Sequence, residues 1–383
     1  MAGYLMVLDS IDSLGRCAEK GVYSTKLSKP GGSWGRHHEA TFADYATMNP
    51  GDNIYFFIQR KIYGIGELVE LGPDCKFQNY PEASTPNDYE YTHIKESLLW
   101  DEGPASEDQR WICTFKPSPF FFKQGIDMDR VLLSDPEAFR MIRFFWKRSF
   151  MKLGDEENQA LKDIVLKTNM EYLKAPIPDV SVFKDDSTNI HKAIVKKLAT
   201  GSYLLDIEPI LDACATGAEL AHEMAIEAAI LNQLTLREDE TRDTLGNWDY
   251  LSHQVHASPF KPPDYADKMD IFGYSYIPGH KPSIGKYLVI EIKKGAAAKA
   301  DVDQLMKYVD WVKDEYSKGD YGPIQAALIT QFFSQSVIGH KEEMAKRLYT
   351  IGIKPAESKV WEDVKLLEYS YDSSDHIVRM RER

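Results

Sequence analysis

Cysteine is scarce in this chain: four residues in 383, at Cys17, Cys75, Cys113 and Cys214, with no Cys-x-x-Cys pair. That scatter excludes the dense disulfide framework of a small secreted fold, shows no zinc-site spacing, and predicts a reducing cytoplasm. Long apolar runs are also missing. None approaches the roughly 20 residues of a membrane-spanning helix, so no membrane partner is expected. The opening stretch Met1–Leu8 has no basic leader and too few apolar residues for a signal peptide; it reads as a first β-strand. Positive charge is in short supply as well. Lysine and arginine number 46 against 59 aspartate and glutamate, a formal net charge of −13. A surface coated in positive potential, the usual footprint of a general nucleic-acid binder, is excluded. Contact with nucleic acid needs a local basic patch on an acidic body.

What is present is core material. A hydrophobic fraction of 43% with 12% aromatics supports folded protein, and 383 residues suffice for two domains. No internal repeat or low-complexity tract interrupts them. Residues 1–174 read as mixed α/β, with strands expected at Tyr4–Leu8, Asn53–Gln59, Lys61–Leu71 and Trp111–Phe115. Pro50-Gly51-Asp52 marks a turn before the second strand, and the close spacing of the next two favours antiparallel pairing. Helical spacing follows from Asp135-Pro136 through Phe139, Ile142, Phe145 and Trp146, and again from Asp155 through Leu161, Ile164 and Leu166. Residues 175–212 read as a linker and helical connection, with Pro176 and Pro178 at its start.

Residues 213–383 have another rhythm. A long helix is expected at 213–234, a charged loop at 237–244, and strands at Tyr250–Val255, Met269–Tyr276 and Tyr287–Lys293. Then come a helix at 300–316, a strand at Ile324–Thr330, a helix at 341–351 and a last strand at 359–369. That order suits a mixed sheet with helices on its faces, an α/β class.

The segment Tyr287-Leu288-Val289-Ile290-Glu291-Ile292-Lys293-Lys294 carries the chemistry. Strand alternation sends Glu291 and Lys293 to one side and Leu288, Ile290 and Ile292 to the other. A carboxylate and an ammonium in an apolar strand are costly unless they serve a metal and a polar substrate. Asp270 opens the preceding strand, and Pro278-Gly279-His280-Lys281-Pro282 forms the hairpin loop that returns it beside Glu291. Two carboxylates with water and a phosphate oxygen suit Mg²⁺ or Mn²⁺. On the following helix Gln304 and Tyr308 are four apart and share a face, continued by Trp311. Leu305, Val309 and Val312 form an apolar stripe for the sheet.

Taken together, Asp270, Glu291-x-Lys293 and Gln304-x-x-x-Tyr308 resemble the PD-(D/E)xK nuclease superfamily, the last motif being similar to that of RecB-type nucleases. The wording around Glu291 and Tyr308 also resembles EndoMS/NucS-type endonucleases, and the two-part chain resembles Shedu-type antiphage nucleases. The resemblance covers roughly residues 213–335 and departs from the simplest pattern in having Met269, not proline, before Asp270. It implies a restriction-endonuclease-like mixed sheet and Mg²⁺-dependent cleavage of DNA in prokaryotic defence. Asp270 and Glu291 would be metal ligands, with Lys293 assisting the attacking water and Gln304 positioning it. A glutamate from the preceding helix usually joins such a site; Glu227 is favoured over Glu223 and Glu219, because Ile230 and Leu234 follow it at apolar spacing. A homo-oligomer, dimer or tetramer, is implied. A repair endonuclease for mismatched or branched DNA is the alternative, and a non-catalytic binding or assembly protein is another.

Other residues carry weaker signals. His191, His222, His253 and His256 match no ligand set, although the last two precede Asp270. Gly31-Gly32-Ser33-Trp34-Gly35-Arg36-His37-His38 lacks the Lys-Ser/Thr of a phosphate loop and has no evident following helix. As a surface loop it offers Trp34 for stacking and Arg36 for phosphate; Lys294 and Tyr308 are the corresponding nucleic-acid contacts beside the metal. Asn53–Phe57 with Tyr63-Gly64-Ile65-Gly66 resembles PUA-like barrels of the EVE and YTH kind, with Trp34, Trp100 and Trp111 as pocket candidates.

Overall fold

The computed structural model describes residues 1–117, 121–140, 142, 150–175, 181–257 and 267–383. They form a mixed α/β chain of two compact units. One comprises Met1–Trp34 and Asp44–Pro209, the other Gly35–Ala43 and Ile210–Arg383. The division differs from the expected ranges. The helix Ser187–Leu198, in the stretch read as a connection, packs Ile194 against Val22, Phe77 and Trp100 of the first unit.

The first unit is built on a curled mixed sheet. Its strands are β1 (Gly3–Val7), β2 (Val22–Lys26), β3 (Asn53–Ile58), β4 (Lys61–Leu68), β5 (Lys76–Gln78), β6 (Gln109–Pro117), β7 (Ile126–Asp127) and β8 (Phe150–Leu153). They run in the order β2-β6-β4-β3-β1-β8, with β5 added on β6 and β7 on β4. β3 and β4 pair antiparallel, as their spacing predicts, around Gln59 and Arg60. Both turn residues have positive φ, 46° and 71°, the backbone twist that two-residue hairpins require. β3 is buried along its whole length, so its aromatics serve packing on both faces. Of the helix expected from Asp135, only residues 135–140 and 142 are described, and they are not helical. A helix precedes them over Met128–Ser134, where Asp127 caps its N-terminus, and Pro136–Arg140 form turns. Phe145, Trp146, Pro176 and Pro178 lie outside the described residues. The helix Asp155–Thr168 stands where expected, with three acidic residues in its first turn against the positive end of the helix dipole.

The second unit holds a six-stranded sheet in the order β11-β12-β13-β14-β17-β18. The strands are β11 (Tyr250–His256), β12 (Lys268–Tyr276), β13 (Ile284–Ile292), β14 (Ile324–Thr330), β17 (Val364–Asp372) and β18 (Ile377–Glu382). β11, β12 and β13 are antiparallel, β13, β14 and β17 parallel, and β18 antiparallel to β17. The helix Lys299–Glu315 packs on β13 and β14 and buries Val302, Leu305, Met306, Val309 and Val312.

The last strand expected at 359–369 is two, Glu357–Trp361 and Val364–Asp372, in separate sheets, and three further expectations fail here for local reasons. The single helix at 213–234 is two, Glu208–Cys214 and Glu223–Leu236, separated by a tight hairpin of β9 (Ala215–Thr216) and β10 (Glu219–Leu220). Gly217 at φ 64° makes that turn. The charged loop at 237–244 contains a helix, Asp239–Leu245, whose N-cap Glu238 accepts from the Thr241 N–H. The helix at 341–351 ends early, as Gln335–Met344, and Arg347–Ile351 form β15, paired with β16 (Glu357–Trp361). Leu348 and Ile353 are largely exposed, so apolar letters there marked no core. No helix among the described residues is long and apolar enough to cross a membrane.

Candidate metal and catalytic centre

Two adjacent antiparallel strands position the first carboxylates. Ile271 of β12 pairs with Ile290 of β13, so Asp270 and Glu291 are neighbours across the strands. The backbone N–H of Ile292 donates to Asp270 Oδ2 at 2.7 Å, which anchors that side chain where β13 ends. Lys293 Nζ lies 2.5 Å from Glu291 Oε1, so these two side chains do share a side. Glu291 is 1% exposed, yet its Oε2 has no hydrogen-bond partner. Glu227 enters from the helix Glu223–Leu236 and is equally buried. Of the three helix candidates, Glu227 is the buried one, tied to Asp270 through Gln254. Glu223 is exposed and accepts from the Lys294 N–H at 3.3 Å, while Glu219 sits on the β9/β10 hairpin.

The electrostatics follow from that crowding. Burial, then the charges of Glu291 and Glu227, push the Asp270 carboxyl well above the usual range. Burial also raises Glu291, with Lys293 pulling the other way. Burial works against the charge on Lys293, but Glu291, Asp270 and Glu223 outweigh it and raise its pKa. Burial takes the Tyr308 hydroxyl up to about 12; the Gln304 hydrogen bond opposes this, and the charges of Glu291 and Asp270 add to it. Three acidic side chains thus converge with one ammonium and one bare carboxylate oxygen. A hard divalent cation such as Mg²⁺ or Mn²⁺ fits this all-oxygen donor set. Asp270, Glu291 and Glu227 are the residues that could hold it.

Gln254 escaped the sequence reading. Its amide donates to Glu227 Oε2 and to Asp270 Oδ1, both at 3.1 Å, and so ties two carboxylates together. It sits in β11 between His253, paired with Ile271, and Val255, paired with Met269, and takes a left-handed backbone at φ 52°. Strain of this kind persists only where the surroundings enforce it, and it collects at functional sites. The only signal in the sequence was one more polar residue beside two histidines. Of those, His253 Nδ1 lies 3.1 Å from Glu227 Oε1.

The remaining candidates divide. Gln304 Nε2 donates to the Tyr308 hydroxyl at 2.8 Å, so the i, i+4 pair does interact. Lys294 is exposed beside the cluster. Trp34 is no loop-tip stacking platform. It is 2% exposed, stacked on Trp111 at 5.8 Å and covered by the Arg110 guanidinium at 5.3 Å. Trp100 packs in a different cluster with Leu71, Phe77 and Tyr203, so the three tryptophans form no common pocket. Arg36 is exposed at the start of a helix, Arg36–Ala46, that the glycine-rich run had not suggested.

No protein-family model matches the chain, and no curated protein matches it in sequence. Several solved structures are similar over part of it. A repair endonuclease from Pyrococcus abyssi is 20% identical over 34% of this chain, at a TM-score of 0.21. This chain spans only 46% of that protein's length. The Mmi1 YTH domain in complex with RNA is 12% identical over 44% of this chain and 80% of its own, at a TM-score of 0.26. A hypothetical protein from Leishmania major is 15% identical over 45% of this chain and 97% of its own, at a TM-score of 0.27. At these scores neither the fold nor the chemistry described above rests on the likenesses.

Proposed function

We propose that the second unit is a restriction-endonuclease-like nuclease domain that hydrolyses DNA phosphodiester bonds with Mg²⁺ or Mn²⁺. The observation that carries this reading is the crowding of Glu227, Asp270 and Glu291, with Gln254 bridging the first two, Lys293 on Glu291 Oε1, and Glu291 Oε2 buried and unpartnered. A structural role alone accounts poorly for it, since buried like charges are costly and an apolar core would be cheaper. When bound, the cation supplies a water of lowered pKa and neutralises charge on the phosphoryl oxygens. Lys293 contributes an ammonium held at Glu291, able to hydrogen-bond that water and to offset developing negative charge. Gln304, tied to Tyr308, orients the polar edge of the site, and exposed Lys294 offers a phosphate contact.

The wider reading is a cytoplasmic antiphage nuclease, Shedu-like, working as a homo-oligomer, with a PUA-like first unit that selects the substrate. Cleavage of plasmid, linear and mismatched DNA with Mg²⁺, Mn²⁺ or EDTA tests it. Metal-dependent cutting that vanishes in Lys293→Ala is the expected result. Equal cutting by wild type and Lys293→Ala overturns the site assignment, and cutting confined to mismatched or branched duplexes assigns repair in place of defence.

A further inference from the structure

A second set of ligand-type side chains, mixed in donor type, meets in the same unit. Glu39 comes from the helix Arg36–Ala46, Cys214 ends the helix Glu208–Cys214, and His222 is the residue before the helix Glu223–Leu236. Their ligand atoms all lie within 4.8 Å of one another. His222 Nδ1 is 2.7 Å and Cys214 Sγ 3.1 Å from the same oxygen, Glu39 Oε1. Glu39 is completely buried, and its other oxygen, Oε2, has no hydrogen-bond partner. A buried carboxylate with one oxygen doubly engaged and the other bare is an expensive arrangement unless something else completes it. Sequence spacing could not reveal the set, because Glu39 lies 175 residues from Cys214.

We propose that Glu39, Cys214 and His222 bind a zinc ion through a carboxylate oxygen, Sγ and Nδ1. Zinc takes this mixture of donors at about 2.0–2.3 Å, which sets tetrahedral neighbours roughly 3.3–3.6 Å apart. The present separations of 2.7 and 3.1 Å need to open only slightly. On binding, the thiol gives its proton to solvent and the imidazole keeps one proton, on Nε2. The thiolate and carboxylate then neutralise the 2+ charge in a buried place where net charge is costly. Glu39 Oε2 or a water completes four-coordination. Thiolate and imidazole select zinc over magnesium, so this ion differs in kind from the one proposed at Asp270. It would pin the end of the helix that carries Glu227.

Cobalt(II) is the probe, because thiolate ligation gives it a sulfur-to-metal charge-transfer absorption. The full-length Asp270→Ala protein is used to weaken the oxygen-only site. One Co²⁺ per chain with that absorption, displaced by Zn²⁺ and lost in Cys214→Ser, is expected, with at least tenfold weaker binding in Glu39→Gln. Folded Asp270→Ala protein that shows no thiolate absorption overturns the proposal, whatever the variants do. Absorption that persists in Cys214→Ser overturns it too, by pointing to another cysteine. Neither failure touches the nuclease reading, which is measured by Mg²⁺-dependent cleavage.

Discussion

Each unit sets a cation into its interior, buried at Arg110 and half-buried at Lys293, and their surroundings differ in kind. Arg110 in the first unit is 1% exposed. Its Nη1 donates to the Ala83 and Thr85 carbonyls at 2.6 and 2.8 Å, and its Nη2 to the Asn87 carbonyl at 2.8 Å. Burial lowers its pKa, and neutral dipoles with the Trp34 face hold the charge in place. Lys293 in the second unit leans on a carboxylate amid further carboxylates, and its pKa is raised. One cation is held through both Nη groups by fixed carbonyls, with Nε left unpartnered, and pins a loop. The other stands in a cluster short of positive charge, open to a further cation. A cation held by neutral carbonyls signals architecture, and a cation set among crowded carboxylates signals chemistry.

The sharpest way to break this contrast is to remove the charged groups of each setting in turn. Lys293→Ala and Asp270→Ala should each lower DNA cleavage by on the order of 10³-fold or more, with circular dichroism unchanged. Next comes the strained strand residue. Gln254→Ala should weaken Mn²⁺ binding or slow cleavage by about 10- to 100-fold, measured by calorimetry and single-turnover rates. An unaltered Mn²⁺ affinity and rate would reduce Gln254 to a packing residue.

Arg110→Ala should instead cost stability, about 3 kcal/mol in urea unfolding, while cleavage at low temperature persists. Loss of DNA binding in a protein of unchanged stability would make the aromatic region a functional surface and dissolve the contrast. The smallest effect concerns pH. Asp270 and Glu291 titrate higher when folded than the roughly 4 of unfolded carboxyls. Between that value and their raised folded values the native state binds more protons, so stability falls as pH rises through the window. Asp270→Asn should flatten this fall and add about 1 kcal/mol near neutral pH in EDTA, while abolishing cleavage. A steeper fall in the variant would reverse the sign of the argument.

Much of the sheet was legible because its signals are local. β11 to β14 and the helix Lys299–Glu315 lie close to where alternation and helical spacing put them, and Glu291-x-Lys293 stands out against an apolar strand. Breaks in a helix were harder to see. The turn at Gly217 interrupts an apolar pattern that reads through it, and capping by Glu238 makes a helix of a charged stretch. Gln254 was invisible for another reason: its reach depends on a left-handed backbone that a glutamine rarely adopts. Trp34 misled because a glycine-rich neighbourhood suggests exposure, whereas Trp111 and Arg110 enclose it.

The bond from Ile292 N–H to Asp270 Oδ2 has a consequence for assembly. It makes strand register and site geometry a single variable. A slip of one residue between β12 and β13 would turn a carboxylate to the opposite face and part this donor from its acceptor. Misregistered copies would carry no competent centre, so the cleavage proposed for this unit would begin only once its sheet had found its register.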